Sequence, residues 1–433
     1  MTLPDMLRVH QRFSSPTITD VAGSVRHEVG RFGLGSRLKS GQSVAITVGS
    51  RGIRDIALIV RTLVEELKCA GARPFVVPAM GSHGGATADG QRRIVEEMGV
   101  TESYTGAPIR SSMDTVQVDS TPEGVPVFFD RMALEADHVV VLNRVKVHSD
   151  FTGPIQSGLL KMLLIGLGKH RGAAIYHQAF IQFSFDHILA SVALRVIEKC
   201  RVLFGLAVVE NHSHRTALIE ALEPADIFTR ERELLELSKR WMATLPFRNI
   251  DLLIIDEMGK DIAGSGMDSN VIGRKGWPNQ VPANQIPKIT RIYVRDLTDA
   301  SHGNAIGIGM ADFAHSRLID KIDYPSLYTN AITSCTPFGA AIPVRFGSDR
   351  TAVESALETI GFVEPGQVRI VRIRNTLELR DLLVSAAFRE EIEGRTELQI
   401  IEEPSDGESA GLMFDRNGNL SPFPLSEKWR NNR

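Results

Sequence analysis

Near the start of the chain, a short strand, a polar loop and a helix follow one another twice. Residues 43–49 (SVAITVG) form a β-branched apolar run, and apolar residues recur with helical spacing over 55–70. Residues 73–80 and about 87–98 repeat this order around the loop GSHGGATADGQ. Two strands joined by a helix predict a right-handed parallel crossover, in which ligands bind at the carboxyl ends of the strands.

The length of 433 residues predicts more than one domain, since single hydrophobic cores rarely grow that large. We expect two α/β domains with mainly parallel sheets and an active-site cleft between them. The first spans residues 1–247 and the second 248–403, and the polar tail 404–433 packs on the first domain or frays. In the second domain, apolar patterns predict a strand at 252–256 and a helix at 377–391.

Composition disfavours several classes of function. The net charge of −3 and the lack of a dense Lys/Arg stripe argue against nucleic-acid binding. No apolar run approaches the roughly 18 residues of a membrane span, and the N-terminus lacks the apolar core of a secretory signal. Three widely separated cysteines suggest neither a disulfide framework nor a cysteine zinc site. We therefore expect a cytoplasmic protein that acts on a small molecule, with no nucleic-acid or membrane partner; homo-oligomer formation stays open.

The first candidate residues follow the two early strands. His83 lies in the loop after residues 73–80, and histidine can exchange a proton near neutral pH. A turn histidine bonded to backbone is the alternative. Arg51 follows the first strand, and its guanidinium suits a carboxylate or a phosphate. A surface ion pair with Asp55 or Glu66 explains Arg51 equally well.

A second group of candidates begins after another apolar run, residues 139–142, which predicts a buried strand that ends near His148. Lys161 lies among leucines and methionine, where a lysine is costly unless it snorkels, is paired or is used chemically. His177 follows further along the chain. His83, His148 and His177 are residue types that bind zinc, although these three do not stand in HExxH or HxH spacing.

The loop 257–276 of the second domain is rich in glycine, and its exposed amides suit an anion. It lacks the residue order of a P-loop or a dinucleotide fingerprint, and a flexible interdomain loop is the alternative. Its candidates to face the cleft are Lys260, Asp261, Asp268 and Asn270.

These motifs resemble those of the nickel-dependent lactate racemase family. The resemblance is carried by Ser50-Arg51 after the first strand, by a G-[ST]-H loop (Gly81-Ser82-His83), by a histidine followed by F-x-G and S-G-x-x-K patterns (His148, Phe151 to Gly153, Ser157 to Lys161), and by the later His177. It spans residues 43–178 and implies the catalytic N-terminal domain of that family.

The resemblance implies a racemase or epimerase that inverts the C2 carbinol centre of a 2-hydroxy acid by reversible hydride transfer. It implies nickel in a nickel-pincer nucleotide, a pyridinium bis-thiocarboxylate mononucleotide tethered to Lys161 as a thioamide. By the same resemblance, His177 ligates the nickel, His83 and His148 form an acid/base pair, and Arg51 holds the substrate carboxylate. The neighbouring motif residues that would contact the cofactor are Ser50, Gly153, Ser157 and Gly158.

The sequence departs from the family pattern in the second domain. There the family offers a glutamine and a lysine to the substrate, in a segment that reads MDSNVIGRK here. Because this segment has no glutamine, Arg274 or Lys275 is the candidate substitute, and we expect a larger or more acidic 2-hydroxy acid than lactate. Residue types alone leave two other classes open: a zinc-dependent hydrolase or lyase using the same histidines, and a non-catalytic protein that binds a carboxylate or a nucleotide.

Overall fold

The computed structural model describes residues 3–50, 52–149, 151–275, 286–402 and 411–424. The chain divides into two compact units. The N-terminal unit is Ser14–Met242, and the C-terminal unit combines Met1–Phe13 with Ala243–Arg433. The first strand, β1 (Met6–Gln11), therefore belongs to the C-terminal unit, whereas the sequence analysis placed it in the first domain.

The N-terminal unit alternates strands and helices along the chain. Its strands are β2 (Ser43–Val48), β3 (Arg73–Pro78), β4 (Thr115–Ser120), β5 (Pro126–Asp130), β6 (His138–Arg144), β7 (Val202–Glu210) and β8 (Thr216–Leu222). Its helices are α1 (Val21–Gly30), α2 (Leu34–Arg37), α3 (Ile56–Cys69), α4 (Ala88–Glu97), α5 (Glu102–Thr105), α6 (Arg131–Glu135), α7 (Leu159–Lys161), α8 (Leu167–Gln182), α9 (Phe185–Lys199) and α10 (Ile227–Trp241). A π-helical turn, Met162–Gly166, joins α7 to α8.

The main sheet of this unit has the strand order β3-β2-β6-β7-β8, and β4 pairs with β5 in a separate hairpin. Strands β3, β2, β6 and β7 run parallel, and β8 is antiparallel to β7. Five consecutive residues of β2 are buried, as expected for a parallel strand whose sheet is covered on both faces. Because the strands are parallel, the loops that follow β2, β3 and β6 emerge at one edge of the sheet.

The C-terminal unit is built on a mixed sheet. Besides β1, its strands are β9 (Asn249–Ile255), β10 (Lys288–Val294), β11 (Phe313–His315), β12 (Val344–Phe346), β13 (Ile370–Ile373), β14 (Asp381–Ser385) and β15 (Leu398–Glu402). The strand order is β12-β11-β10-β9-β13-β14-β1-β15. The first five are parallel, and β14, β1 and β15 pair antiparallel. Its helices are α11 (Ser269–Ile272), α12 (Ser316–Asp320), α13 (Tyr324–Thr333), α14 (Asp349–Leu357) and α15 (Arg389–Glu393).

The predicted α/β class with mainly parallel sheets is confirmed, but one element is wrong. The helix predicted over 377–391 is replaced by strand β14, which pairs with both β13 and β1. Leu382 and Val384 are buried in the core of the C-terminal unit. Pairing on both sides therefore decided the conformation of a segment whose leucine spacing also fits a helix.

The polar tail differs from its expectation as well. Its described part, residues 411–424, packs in the C-terminal unit, where Leu412 and Leu420 join the core cluster that contains Leu252 and Tyr293. The carbonyl of Leu420 also accepts a hydrogen bond from the guanidinium of Arg295 (2.8 Å). Among the described residues, none of the helices has the length and apolar character needed to cross a membrane.

Candidate functional site

The loops after β2 and β3 bring Ser50 and His83 together. The Ser50 hydroxyl and His83 Nδ1 form a short hydrogen bond, which orients an otherwise exposed imidazole ring. Gly81 has a φ of 60°, and a Cβ there would lie 3.0 Å from the side chain of Ile165. The glycine thus permits both the turn and the close approach of the π-helical turn. Arg51, the expected carboxylate ligand, lies outside the described residues.

His148 follows β6 and is oriented by its own loop. Its backbone N–H donates to Gln156 Oε1 (2.8 Å), and its Nδ1 accepts from the backbone N–H of Phe151 (3.2 Å). The ring stacks on Phe151 at 4.5 Å. Because Nδ1 accepts a hydrogen bond, the neutral ring carries its proton on Nε2.

Lys161 ends helix α7, immediately before the π-helical turn. Its neighbours Leu159 and Leu160 are fully buried, whereas Lys161 itself is half-buried. Its Nζ lies 5.6 Å from the centroid of the Phe151 ring, a cation–π distance. The expectation that Lys161 is surrounded by apolar side chains agrees with this environment. Single π-helical turns frequently occur at functional sites because they shift the side chains of one helix turn.

His177 lies on α8, half-buried beside the same aromatic cluster. Its ring is 5.7 Å from Phe180, which in turn is 5.3 Å from Phe151. Burial, with a smaller effect of the Lys161 charge, lowers the pKa of His177 to about 4. At neutral pH His177 is therefore uncharged, which is the form of imidazole that binds metals. Phe151 and Phe180 thus bring His148, Lys161 and His177 to one place.

The remaining motif residues shape the turn that precedes Lys161. The carbonyl of Gly153, a residue with a φ of 129°, accepts a hydrogen bond from Gln156 (3.2 Å). The carbonyl of Ser157 accepts from Lys146 (2.9 Å). Gly158 packs so closely on Glu231 that a Cβ would lie 2.5 Å from its carboxyl group. These three residues therefore fix the backbone of the turn that precedes Lys161.

Glu231 is a functional candidate that the sequence analysis missed. It is fully buried on α10, and its Oε2 accepts from the backbone N–H of Leu160 (3.1 Å), while Oε1 has no hydrogen-bond partner. Burial raises the pKa of Glu231 to about 7, although hydrogen bonds from the backbone of Leu160 and Leu159 act in the opposite direction. The sequence signal was available, since Glu231 shares a helical stripe with the buried Ile227 and Leu234.

A second missed group surrounds Lys169 on α8. Lys169, Asp130 and Gln91 are each 0% exposed. Lys169 Nζ lies 3.1 Å from Asp130 Oδ2 and donates to Gln91 Oε1 at 3.1 Å. Because His170 and Arg171 follow Lys169 directly, the local sequence gives no signal that this lysine is buried.

In the C-terminal unit, three of the candidates meet at the start of α11. Asp268 caps this helix, and its Oδ1 accepts from the backbone N–H of Asn270 (2.9 Å). Lys275, which is buried, donates to Asn270 Oδ1 (2.6 Å) and to Ser269 Oγ (3.2 Å). The structure therefore supplies an amide and an ammonium group side by side in the segment where the family has glutamine and lysine.

The other three candidates of this unit bond within it. Asp261 Oδ1 accepts from the hydroxyl of Thr298 (2.5 Å). Lys260 Nζ donates to the carbonyl of Gly264 (2.7 Å) and to Asn330 Oδ1 (3.0 Å). Arg274 forms an ion pair with Asp312 (2.7 Å) and donates to three main-chain carbonyls, those of Ile289, Thr290 and Met310. These contacts make Arg274 a residue that holds the sheet and its loops together.

Within the described part of the chain, no group of three or more His, Cys, Asp or Glu residues lies close enough to hold a metal ion. The three-ligand set that a zinc-dependent hydrolase requires is therefore not provided by these residues.

Comparison with known proteins gives a family and a fold. Residues 14–186 match the family model of the lactate racemase N-terminal domain. None of the curated proteins compared with the chain matches it. Among solved structures, the lactate racemase apoprotein from Thermoanaerobacterium thermosaccharolyticum superposes with a TM-score of 0.52 at 12% identity, over 82% of this chain and 95% of that one. The predicted resemblance to the lactate racemase family is confirmed over residues 14–186, the part of the chain that matches the N-terminal domain of that family.

Proposed function

We propose that the chain is a racemase or epimerase that inverts the C2 carbinol centre of a 2-hydroxy acid. The observation that carries this proposal is the meeting of His148, Lys161 and His177 around Phe151 and Phe180, in a lactate racemase N-terminal domain. The loop with His83 lies at the same edge of the parallel sheet, where ligands of such sheets bind.

The residues fit a nickel-pincer nucleotide, tethered to Lys161 and bound through its nickel to His177. Lys161 is half-buried with its Nζ above the ring of Phe151, so the amine that would carry such a tether lies at a partly open, aromatic-lined position. His177 is uncharged at neutral pH because burial lowers its pKa to about 4, so its ring can act as a metal ligand. Such a cofactor, when bound, supplies an acceptor for the hydride of the carbinol carbon.

The chain's own residues would then move the proton and orient the substrate. Inversion requires access to both faces of a planar 2-keto acid, so two proton-exchanging groups on separate loops suit the reaction. His83 and His148 meet this requirement, and each is oriented through Nδ1, by Ser50 and by the Phe151 backbone. The histidine on one face would take the hydroxyl proton as the hydride leaves C2. When the hydride returns to the opposite face of the 2-keto acid, the other histidine would donate a proton to its oxygen, and the two histidines would regain their starting protonation by exchange with water.

We assign the substrate carboxylate to Arg51, because a guanidinium binds a carboxylate in bidentate fashion. In the C-terminal unit, Asn270 and Lys275 place an amide beside an ammonium group, an arrangement that suits an anionic group. Since the segment in which the family offers a glutamine contains none here, we propose a 2-hydroxy acid other than lactate. We also propose that the enzyme is cytoplasmic.

The test uses full-length protein produced in cells that make the cofactor. We expect one nickel per chain and a mass adduct on the peptide that contains Lys161. Chiral 2-hydroxy acids are then incubated in deuterated water, and inversion without deuterium at C2 supports hydride transfer. Deuterium wash-in, stoichiometric zinc, or an unmodified Lys161 without nickel would each contradict the proposal. In the loaded protein, His83→Asn and His148→Asn are each expected to reduce kcat by about 10²–10⁴-fold.

A further inference from the structure

We propose that Lys169, together with Asp130 and Gln91, is a positioning residue that fixes the His83 loop against the helix carrying His177. The proposed reaction assigns no role to these three side chains. The assignment of His83 as an acid/base group rests on the proposed function, whereas the bracing of its loop does not.

The Lys169 ammonium group is held by three segments of the chain. Its Nζ donates to Gln91 Oε1 (3.1 Å) and to the carbonyl of Pro78 (2.5 Å), and it forms an ion pair with Asp130 Oδ2 at 3.1 Å. Because a buried charge is costly unless it is paired and hydrogen-bonded, this arrangement tolerates little displacement of any partner.

Gln91 extends this network to the loop of His83. Its Nε2 donates to the carbonyl of Gly81 (2.8 Å) and to the carbonyl of His83 (3.3 Å). Pro78 is the last residue of β3, so the network holds the loop both where it begins and on either side of Ser82. Lys169 therefore controls the backbone from which the His83 side chain projects.

The loop needs such a restraint because its backbone is intrinsically permissive. Gly81, Gly84 and Gly85 all have φ values between 60° and 66°, and glycine samples many conformations when it is not held. The His83 ring is exposed, so core packing of the side chain does not fix it. Hydrogen bonds to the main chain from the buried Gln91 supply the missing constraint.

Lys169 reaches this position through an unusual backbone conformation. Its φ is 53° and its ψ is −162°, which interrupts α8 near its start. A residue with a β-carbon adopts such angles only where the surroundings impose them, and such positions cluster at functional sites. Since Lys169 lies on the same helical segment as Lys161 and His177, its contacts couple that segment to the loop after β3.

The test measures the loop directly, by hydrogen–deuterium exchange with mass spectrometry on the full chain. Gln91→Met removes both donors to the loop at similar volume, and Gln117→Met is the matched control, because Gln117 is an exposed glutamine of the same unit. We expect amides 80–86 to exchange about tenfold faster in Gln91→Met, the consequence of leaving buried carbonyls without donors. Peptides of the C-terminal unit and the control variant should exchange as in the wild type.

Activity gives the second readout. In loaded protein with the Lys161 adduct intact, Gln91→Met should lower kcat by roughly 10–100-fold with KM changed little, since small displacements of a reacting group are costly. If Gln91→Met does not fold, Gln91→Glu replaces it, because it keeps an acceptor for Lys169 while removing the donors. Unchanged exchange in the loop, or exchange raised equally across the N-terminal unit, would overturn the proposal. A wild-type protein that is inactive and unmodified at Lys161 would instead refute the proposed function. The exchange result would still decide whether Lys169 and Gln91 hold the His83 loop in place.

Discussion

Lys161 and Lys169 lie on one helical segment, but their surroundings are opposite. Lys169 is fully buried, hydrogen-bonded to Gln91 and Pro78 and paired with the carboxylate of Asp130. Lys161 is half-buried, with its ammonium above the face of Phe151. A buried, paired ammonium group holds its partners in place, whereas an amine at a partly open, aromatic-lined site is accessible to modification. The comparison teaches that two lysines on one helical segment can have opposite surroundings, which their positions in the sequence do not reveal.

The largest expected difference between the two lysines is in covalent modification. Lys161→Met should remove the cofactor adduct and all inversion activity, while the free energy of unfolding changes by less than about 1 kcal/mol, as for other partly exposed positions. Intact-mass spectrometry and urea denaturation measure the two effects. An adduct that persists in Lys161→Met would show that another residue is the tether.

The Lys169 side of the comparison is tested by Asp130→Ala. This change leaves the Lys169 charge buried without its carboxylate, so we expect a loss of about 3–5 kcal/mol in the free energy of unfolding. The double variant Asp130→Ala/Lys169→Met should lose less than the sum of the single variants, because the charge that needed a partner is gone. Urea denaturation of all three proteins measures this coupling. Strictly additive losses in the free energy of unfolding would show that Lys169 and Asp130 do not stabilise each other, contrary to the contrast drawn with Lys161.

Glu231 is another buried ionisable side chain of the N-terminal unit, and its contribution to stability depends on pH. Burial raises its pKa in the folded protein to about 7, above the ordinary value of 4.5. Between these values the unfolded chain binds fewer protons, so the contribution of Glu231 to stability falls as pH rises, by about 3 kcal/mol in total. Below pH 4.5 both states are protonated and the penalty vanishes. Glu231→Gln should therefore be stabilised relative to the wild type at pH 8 and not at pH 4.5, as measured by urea denaturation. The same difference at both pH values would contradict the assignment.

The smallest effect is expected at Phe151, the ring beneath Lys161. Phe151 stacks on Phe185 at 4.0 Å and on His148 at 4.5 Å. Phe151→Leu keeps most of the buried apolar volume but loses the aromatic contacts, at a cost of about 1 kcal/mol. In loaded protein, the adduct on Lys161 should remain and kcat should fall modestly. A loss of the adduct would mean that attachment of the cofactor requires Phe151 as well as Lys161.

Several elements were predictable from the sequence because their signal is local. The apolar run of β2 and the helical spacing of α3 reflect neighbours within a few residues, and the structure has both. The position of His83 after β3 follows from the same local pattern. The strand β14 was not predictable in this way, since its leucines fit either a helix or a strand until β1 and β13 pair with it.

The sequence by itself determined the α/β class, the parallel order of the first strands and the set of candidate side chains after them. Only the tertiary structure decided which of these groups meet: His148, Lys161 and His177 around two phenylalanines, and Asn270 with Lys275. It also decided which lysine is buried and paired, because Lys169 donates to Gln91, which is 78 positions away in the chain, and to Pro78, which is 91 positions away. The physical reason is that periodicity is a property of near neighbours, whereas burial and pairing depend on segments that become neighbours only after folding.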